Sequence, residues 1–455
     1  MGSGEPGAVR FVPLNSREGD AMREAAAVTA IRNAAIPLPE IEDEAFADAF
    51  ERFADARVIL LGEASHGTSE FYRARAAITR RLVERHGFNI VAVEADWPDA
   101  ANVDRYVRHR PRREGEEAAF QRFPTWMWRN EEADALIRWL RDHNELNPDA
   151  MAGFYGLDLY NLDASMRAVI DYLDDVDPEA ARVARKRYGC LEPYSRNPQV
   201  YGAISLSEGH ARCEAGVLQM LGDLTARRFE YAADDGAEWL DAAANARLVK
   251  NAEAYYRAMY HGSAESWNLR DSHMFETLCQ LLEAGGANAK AVVWAHNSHI
   301  GNAAHTEMGR KRDELNIGQL VKERFGAEAR LIGFGTHMGT VAAADDWDEP
   351  MQIKQIRPSL AGSYEALCHA AGEPRFLLDL TEQADAALID ALMPPRLERF
   401  IGVIYRPETE RWSHYAEATL PQQFDAWVWF DQTRAVTPLP GSEALGEDDM
   451  WPHGL

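Results

Sequence analysis

Six short runs of apolar or β-branched residues recur along the chain, and each ends in glycine, a charged residue or a turn-forming residue. The runs lie at residues 58–61, 89–94, 290–296, 329–334, 376–380 and 399–405. Their length and composition predict β-strands. Because they are continuously apolar, both faces of the sheet should be covered by helices. Helical patterns separate several runs, so the sequence predicts an α/β fold with a central, largely parallel sheet flanked by helices.

A long interval separates the second run from the third. It contains helical patterns such as EEADALIRWLRDHNEL and DASMRAVIDYLDDVD, and it is too long for a simple crossover between parallel strands. We interpret it as a large helical insertion over the active-site rim, the usual place of a lid; helices that only enlarge the core are the alternative. The predicted division is 1–105 for the first part of the α/β core, 106–285 for the insertion, and 286–455 for the second part of the core.

The balance of charge argues against two classes of partner. The chain of 455 residues has 48 Lys and Arg against 73 Asp and Glu, a net charge of −25, which disfavours binding to nucleic acid and to anionic membranes. The N-terminus lacks a basic segment followed by an apolar core, and no apolar run is long enough to span a bilayer. We therefore expect a cytoplasmic protein that acts on a small molecule. The sequence leaves its oligomeric state open.

The cysteines give no sign of a disulfide framework. Cys190, Cys213, Cys279 and Cys368 are isolated and form no CxxC pair. This spacing favours reduced, buried thiols.

Acids and imidazoles follow three of the predicted strands. Glu63 and His66 come after the first run, Glu94 ends the second, and His296 and His299 follow the third. The carboxyl ends of parallel strands meet at one edge of a sheet, where open α/β sheets usually bind their ligands. One such ending is common, but three with matching chemistry favour an active site. We expect these side chains to line one pocket.

An arginine is predicted to point into the same region. Phe71, Ile78 and Leu82 recur at helical spacing, and Arg75 lies on this inward stripe, four residues after Phe71. A buried guanidinium needs a carboxylate, which it can hold by two hydrogen bonds. Either strand-end glutamate would supply it. The alternative is an arginine whose stem packs while its head reaches water.

Other catalytic motifs are weak or missing in the sequence. His296 and His299 lie within HNSH and are candidate metal ligands, but the helical HExxH pattern of many zinc hydrolases is absent. The chain has no GxGxxG after its first strand, no GxxxxGK[ST] and no GxSxG. Ser65 lies beside the predicted site without a serine-triad signature, so a nucleophilic serine is disfavoured.

Several separated motifs together resemble the erythromycin esterase family. LLGEASHGTSEF, VAVEADWP and VVWAHNSHIGNA occur in this order, and GFYGLDLYNL, SWNLRDSHM, IGVIYRPETERWSHY and FDAWVWFDQTRAVTPL extend the resemblance over residues 40–440. It implies a hydrolase whose active-site cluster of two glutamates, an arginine and three histidines falls on Glu63, His66, Arg75, Glu94, His296 and His299. The form GEASHGTSEF occurs in many relatives not established as macrolide esterases, so the substrate, and with it a role in macrolide resistance, stays open. Within SWNLRDSHM, we interpret Arg270 and Asp271 as a helix-surface ion pair; the alternative is that Arg270 or Asp271 reaches the pocket.

We therefore predict a hydrolase of carboxylic esters or lactones that forms no covalent intermediate and needs no cofactor. His66 would remove a proton from the attacking water, because the reference pKa of histidine, ~6.5, lies near working pH. The two glutamates would orient this base, the water or the arginine, and the two later histidines would donate hydrogen bonds to the oxyanion or the leaving alcohol. The alternatives are a metal-dependent hydrolase using the same Glu/His cluster, or a non-catalytic small-molecule binding protein, which so many buried titratable groups disfavour.

Overall fold

A mixed sheet lies at the centre of the fold. The computed structural model describes residues 14–113, 118–205, 213–227, 231, 236–260, 262–440 and 451–452. Within these residues, nine strands form one sheet and two further strands form a separate antiparallel pair. The strands are β1 (Ile36–Pro37), β2 (Val58–Leu61), β3 (Ile90–Asp96), β4 (Gly153–Asp158), β5 (Ala291–Trp294), β6 (Ala329–Ala343), β7 (Gln352–Ile356), β8 (Arg375–Asp379), β9 (Arg396–Arg399), β10 (Tyr415–Ala418) and β11 (Ala426–Thr433).

The strand order brings the chemically interesting strand ends together. Across the sheet the order is β1-β8-β11-β6-β2-β5-β3-β4, and β7 pairs with β6. All neighbours from β11 to β4 run parallel, whereas β1, β7 and β8 pair antiparallel. The predicted α/β fold with a largely parallel sheet is therefore confirmed. Because β2, β5 and β3 lie side by side, their carboxyl ends meet at one edge.

Helices cover both faces of the sheet. They are α1 (Leu14–Ala34), α2 (Ala45–Asp48), α3 (Ser69–His86), α4 (Trp97–Val107), α5 (Glu131–Leu146), α6 (Leu162–Val176), α7 (Pro178–Tyr188), α8 (Pro198–Ser205), α9 (Glu214–Ala226), α10 (Gly236–Ala258), α11 (Ser263–Ala284), α12 (Asn297–Ile300), α13 (Glu307–Arg312), α14 (Ile317–Phe325), α15 (Tyr364–Ala371), α16 (Ala386–Leu392), α17 (Glu410–Ser413) and α18 (Leu420–Gln423). Among the described residues, none of these helices is long and apolar enough to cross a membrane.

The continuous apolar run of β2 reflects burial on both faces. Val58 and Leu60 belong to one apolar core, together with residues of α1, α11 and α14. Ile59 and Leu61 belong to the other core, together with residues of α3 and α5. Successive side chains of a strand point to opposite faces, so a strand between two helical layers has no solvent-facing side.

Helix α3 carries the predicted inward arginine. The helix begins directly after the loop that follows β2 and ends at Gly87, whose φ of 71° is in the left-handed region that glycine adopts without strain. Phe71, Ile78 and Leu82 are fully buried, and so is Arg75. The inward stripe read from the sequence is therefore the packed face of this helix.

Five of the six predicted strands belong to the main sheet, and the prediction for 399–405 is wrong. There, β9 ends at Arg399 and pairs only with β10. The following residues form a loop with isolated bridges from Ile401 to Ser65 and from Ile404 to Ala344. The run is apolar because Ile401 and Tyr405 are fully buried in a small core cluster with Val341, Ala343 and Ile356. Burial alone does not distinguish such a loop from a strand.

Several strands were not predicted, including two in the main sheet that matter here. Strand β4 is the edge strand beside β3, and β11 lies between β8 and β6. Because β4 falls within the predicted insertion, the range 106–285 contributes to the sheet as well as supplying helices α5 to α11. The division into 1–105, 106–285 and 286–455 stays a prediction.

The expectation of reduced thiols is wrong for two of the four cysteines. Cys190 and Cys213 form a disulfide, with their Cα atoms 5.9 Å apart. Cys279 and Cys368 are free thiols. The paired cysteines lie 23 residues apart in sequence, and only the packing of the intervening helices brings them together.

Candidate active site

Four of the six predicted site residues line one cavity at the carboxyl ends of the strands. His66, Glu94, His296 and His299 belong to its wall, and the cavity has a volume of about 1020 Å³. Glu94 comes from β3, His66 from the loop after β2, His296 from the end of the loop after β5, and His299 from the short helix α12 that follows. The rings of His66 and His296 have centroids 4.8 Å apart. The structure thus brings these four side chains together, whereas Glu63 and Arg75, also expected on the wall of the pocket, do not line it.

The other two predicted residues lie behind His66 rather than on the cavity wall. Glu63 Oε1 is 2.8 Å from His66 Nδ1, and Arg75 Nη2 donates to Glu63 Oε2 at 2.8 Å. A carboxylate can only accept, so His66 Nδ1 carries the proton and Nε2 is free to accept one. Glu63 thus fixes the tautomer of His66, and Arg75 holds Glu63.

Arg75 is enclosed by aromatic rings as well as by its carboxylate. Its guanidinium carbon lies 4.5 Å from the ring centroid of Tyr72 and 4.6 Å from that of Trp294. Only 1% of the residue is exposed. The alternative of an arginine reaching water is therefore wrong, and of the two glutamates considered, Glu63 holds it.

Glu94 connects the remaining residues of the site. Its Oε2 accepts the backbone N–H of His296 at 2.8 Å, and its Oε1 accepts from Arg270 Nη2 at 2.8 Å. The same Oε1 lies 3.3 Å from His299 Nε2. Burial by itself raises the pKa of this carboxyl, but the charges of the neighbouring imidazoles and guanidinium hold the pKa well below its usual range. Glu94 is therefore an anion at neutral pH.

His296 presents a neutral hydrogen-bond donor. Its Nδ1 accepts from the backbone N–H of Ser298 at 3.3 Å, and Ser298 Oγ lies 2.9 Å away. The proton of the neutral ring must then be on Nε2, which is buried and has no hydrogen-bond partner among the described residues. Burial, and next the charge of His66, lower the pKa of His296 well below its usual value. The ring therefore stays neutral, with one N–H unused by the protein.

The interpretation of Arg270 and Asp271 as a surface ion pair is wrong, because Arg270 is bonded to Glu94 and Asp271 to His299. Asp271 is fully buried, and both of its carboxylate oxygens lie 2.9 Å from His299 Nδ1. Arg270 lines the cavity. It donates through Nε and Nη2 to Asp158 at 2.9 and 2.6 Å, in addition to its bond with Glu94. The spacing of residues along the helix does not show that Arg270 and Asp271 lie next to the carboxyl ends of the strands.

Asp158 is a site residue that the sequence analysis missed. It ends β4, directly beside Asp96 at the end of β3. Burial raises the pKa of Asp96 to about 7, and the charge of Asp158 adds to this rise. The signal was available, since GFYGLD is an apolar run that ends in an acid, like the predicted strands. It was overlooked because the run lies between helical patterns.

The rest of the cavity wall is rich in aromatic side chains. They are Phe120, Phe123, Trp128, Tyr160, Tyr255, Tyr256, Trp267, Trp347 and Phe400. Most come from the 106–285 range, whereas Trp347 and Phe400 come from loops of the second core part. This aromatic surface suits an apolar ligand body, although Arg122, Arg196 and Gln199 of the same range add polar groups to the wall.

The lone pairs of the site carboxylates are largely occupied by protein groups. Arg75 and His66 take the two oxygens of Glu63, and Arg270 and the His296 N–H take those of Glu94. Within the described residues, no group of three or more His, Cys, Asp or Glu side chains has the arrangement of a metal site.

Comparison with known proteins agrees with this combination of fold and site. A parallel sheet with a cavity of acids and imidazoles at the ends of its strands is the arrangement of an α/β enzyme. The family model described as erythromycin esterase matches residues 83–433. The chain belongs to the erythromycin esterase family. The match begins after Glu63, His66 and Arg75, so the structure is what connects these three residues to the rest of the site.

Individual relatives are distant. YbfO of Bacillus subtilis is 21% identical over 402 residues, covering 84% of each chain. Erythromycin esterase type II of Escherichia coli is 23% identical over 303 residues, covering 64% of this chain and 71% of the relative. A histidine-to-asparagine mutant of the erythromycin esterase EreC, in its open conformation, superimposes with a TM-score of 0.62 at 17% identity, covering 88% of this chain and 95% of that one. The enzyme class that these comparisons support is a hydrolase.

Proposed function

We propose that the protein hydrolyses carboxylic esters or lactones by direct attack of water, with His66 as the general base. The observation that carries this proposal is the hydrogen bond of 2.8 Å between His66 Nδ1 and Glu63, which leaves Nε2 as a proton acceptor on a residue of the cavity wall. A histidine oriented in this way is a suitable base near neutral pH.

Two further residues fit the needs of the reaction. Attack on the acyl carbon places negative charge on the former carbonyl oxygen, and the buried, unpartnered Nε2–H of His296 is a fixed donor for it. The anionic Glu94 orients the backbone N–H of His296 and the guanidinium of Arg270. Fixed dipoles of this kind stabilise a developing charge without reorganisation.

A covalent acyl-enzyme on Ser65 has no support. Ser65 Oγ is hydrogen-bonded to Thr68 Oγ1 at 2.5 Å and is buried. It does not belong to the cavity wall. Attack by water on the ester is the simpler route.

The size and lining of the cavity support a bulky substrate. Its volume of about 1020 Å³ exceeds what a small alkyl ester needs, and its aromatic wall suits a bulky, partly apolar molecule. Macrolide lactones are one group of that kind, and the names of the Escherichia coli relatives make them a direct choice for testing. We also propose that turnover needs no tightly bound metal, since Arg75 already pairs with Glu63, and Arg270 pairs with Glu94 and Asp158.

The proposal is tested by the variant His66→Asn on protein whose metal content has been measured and then removed by chelation. A screen over macrolides, lactones and aryl and alkyl esters first identifies a substrate. On that substrate, H66N should lower kcat by ~10²-fold or more while folding is retained, because asparagine keeps a polar side chain but cannot take a proton from water.

Two outcomes would overturn parts of this scheme. Activity of H66N within a few fold of the unsubstituted protein would show that His66 is not the base. Stoichiometric metal whose removal abolishes turnover, with recovery on adding it back, would instead favour the metal-dependent alternative. Circular dichroism of each variant provides the control for folding.

A further inference from the structure

A second histidine–carboxylate pair faces the first across Glu94. His299 Nδ1 is bonded to Asp271 at 2.9 Å, as His66 Nδ1 is bonded to Glu63 at 2.8 Å. The two Nε2 atoms both face Glu94 Oε1, at distances of 3.3 Å from His299 and 4.0 Å from His66. Two imidazoles of similar orientation thus approach one carboxylate oxygen. Ester hydrolysis needs a base for the water and an acid for the leaving alcohol, which is a division of labour that two such pairs can supply.

The charges around His299 favour its protonated form. Asp271 and Arg270 face it from α11, Glu94 from β3 and His296 from the loop after β5. Burial lowers the pKa of His299, but the two carboxylates outweigh burial and raise it to about 9. Both ring nitrogens then donate, Nδ1 to Asp271 and Nε2 to Glu94.

One contact argues for the neutral form. Arg270 Nη1 lies 3.0 Å from His299 Nε2, a hydrogen bond that only an unprotonated nitrogen could accept. However, the guanidinium is already forked onto Asp158 through Nε and Nη2, so much of its charge is compensated. The ring is therefore positively charged, because the carboxylates of Asp271 and Glu94 outweigh the partly compensated guanidinium of Arg270. Trp267, stacked on the imidazole at 4.6 Å and 6°, fixes the plane of the ring.

We propose that His299 is the proton donor to the leaving alcohol and that Asp271 is the positioning residue that orients this donor and keeps it charged. The inference rests on the proposed hydrolysis and deepens it. The oxygen of water forms a bond to the acyl carbon while its proton passes to His66 Nε2. When the intermediate collapses, the acyl carbon–alcohol oxygen bond breaks and the alcohol oxygen takes the Nε2 proton of His299. The proton that His66 took from water then moves past Glu94 to His299. This transfer returns both histidines to their starting protonation states.

Leaving-group dependence separates this role from a structural one. An alkyl alcohol leaves poorly as an alkoxide and needs a proton, whereas p-nitrophenolate leaves without one. The experiment uses Asp271→Asn and two esters of the same acid, one alkyl and one p-nitrophenyl. D271N should lower kcat on the alkyl ester by ~10²-fold, the scale of general acid catalysis, and leave kcat on the aryl ester within a few fold. H66N should slow both esters.

The control is Glu276→Gln, which removes a carboxylate from the same helix at an exposed position. E276Q should leave both rates unchanged. Equal losses of D271N on both esters, or no loss on either, would overturn the assignment of the proton donor. If the unsubstituted protein cleaves no ester or lactone in the screen, the proposed function itself fails, which is a distinct result.

The pH dependence provides a second readout. For the alkyl ester, kcat should fall as the pH rises through about 9, because His299 then loses its proton, and this limb should move to lower pH in D271N. Nitrogen NMR of the His299 ring, assigned with His299→Gln, measures the charge directly and does not depend on activity. Should D271N fail to fold, this titration of the unsubstituted protein decides the case. A ring that is already neutral well below pH 9 would overturn the proposal.

Discussion

Single side chains of the site are held in place by opposite charge. Glu63 and Arg75 are both almost fully buried, and their hydrogen bond is 2.8 Å long. Taking either charge out of water alone costs several kcal/mol, so each is tolerated only because the other is present. The catalytic geometry of His66 therefore depends on an arginine that does not line the cavity.

The substitution Arg75→Met should lower the free energy of unfolding by about 3 kcal/mol, the usual scale for leaving one partner of a buried pair uncompensated. It should also slow hydrolysis, because Glu63 loses the cation that holds its second oxygen. Urea unfolding measures the first effect. Arg85→Met is the matched control on the same helix, since its side chain is 57% exposed, and it should cost ~1 kcal/mol or less. Similar losses in the two variants would contradict the argument.

At the level of secondary-structure elements, Asn297 ties three parallel strands together below the site. Its backbone N–H donates to the carbonyl of Glu63, after β2, and its side chain donates to the carbonyl of Phe334 in β6. Asn297 itself opens the short helix α12 after β5. Its side chain passes so close to Gly62 that a Cβ there would collide with Oδ1. Gly62 therefore allows the loops of β2 and β5 to approach each other.

The substitution Gly62→Ala should destabilise the protein by ~1–3 kcal/mol, the usual cost of overpacking. It should also lower kcat, because the displaced Asn297 no longer positions the backbone that carries Glu63 and His296. Thermal denaturation and the ester assay measure these effects. The control is Gly222→Ala within α9, where nothing lies near the added methyl group and where alanine should stabilise the helix by ~0.5–1 kcal/mol. A G62A protein as stable and active as the unsubstituted one would refute this role for the glycine.

On the scale of the whole molecule, two sets of elements form the wall of the cavity. The strand ends supply acids and imidazoles, and the 106–285 range supplies Arg270 and most of the aromatic wall. The two sides meet where Trp347, in the loop after β6, packs against Phe123 with ring centroids 4.9 Å apart. Trp347 remains 49% exposed. An aromatic pair of this kind, half in solvent at the wall of a large cavity, suits the binding of the apolar part of a substrate.

The substitution Trp347→Ala should raise KM for a bulky ester or lactone by ~10-fold, equivalent to about 1.4 kcal/mol of lost binding, and leave kcat little changed. When a contact stabilises the ground state and the transition state equally, its loss raises KM and leaves kcat unchanged. A small ester that does not reach Trp347 should show no change. The control is Trp412→Ala, because Trp412 is 83% exposed and does not line the cavity. A decrease in kcat with both esters would place Trp347 in the chemistry instead.

Much of the architecture was readable from local patterns. Buried parallel strands need apolar residues on both faces, so β2 and β5 appear as continuous apolar runs. An amphipathic helix shows its packed face at a period of 3.6 residues, and this spacing placed Arg75 inside. The acids and imidazoles at three strand ends indicated one site because parallel strands bring those ends to a common edge. Strand burial, the packed face of a helix and the residues at strand ends each depend on a few neighbouring residues. They can therefore be predicted from short stretches of the sequence.

Only the tertiary structure decided which groups pair with which. That Arg75 holds Glu63 rather than Glu94, that Asp271 supports His299, and that Asp158 completes the site are contacts between residues distant in the chain. The loop 399–405, whose apolar side chains suggested a strand, and the disulfide between Cys190 and Cys213 are further cases. Local periodicity reports how deeply a residue is buried, but the partner in a buried pair depends on strand order and helix packing, which no short window of sequence contains.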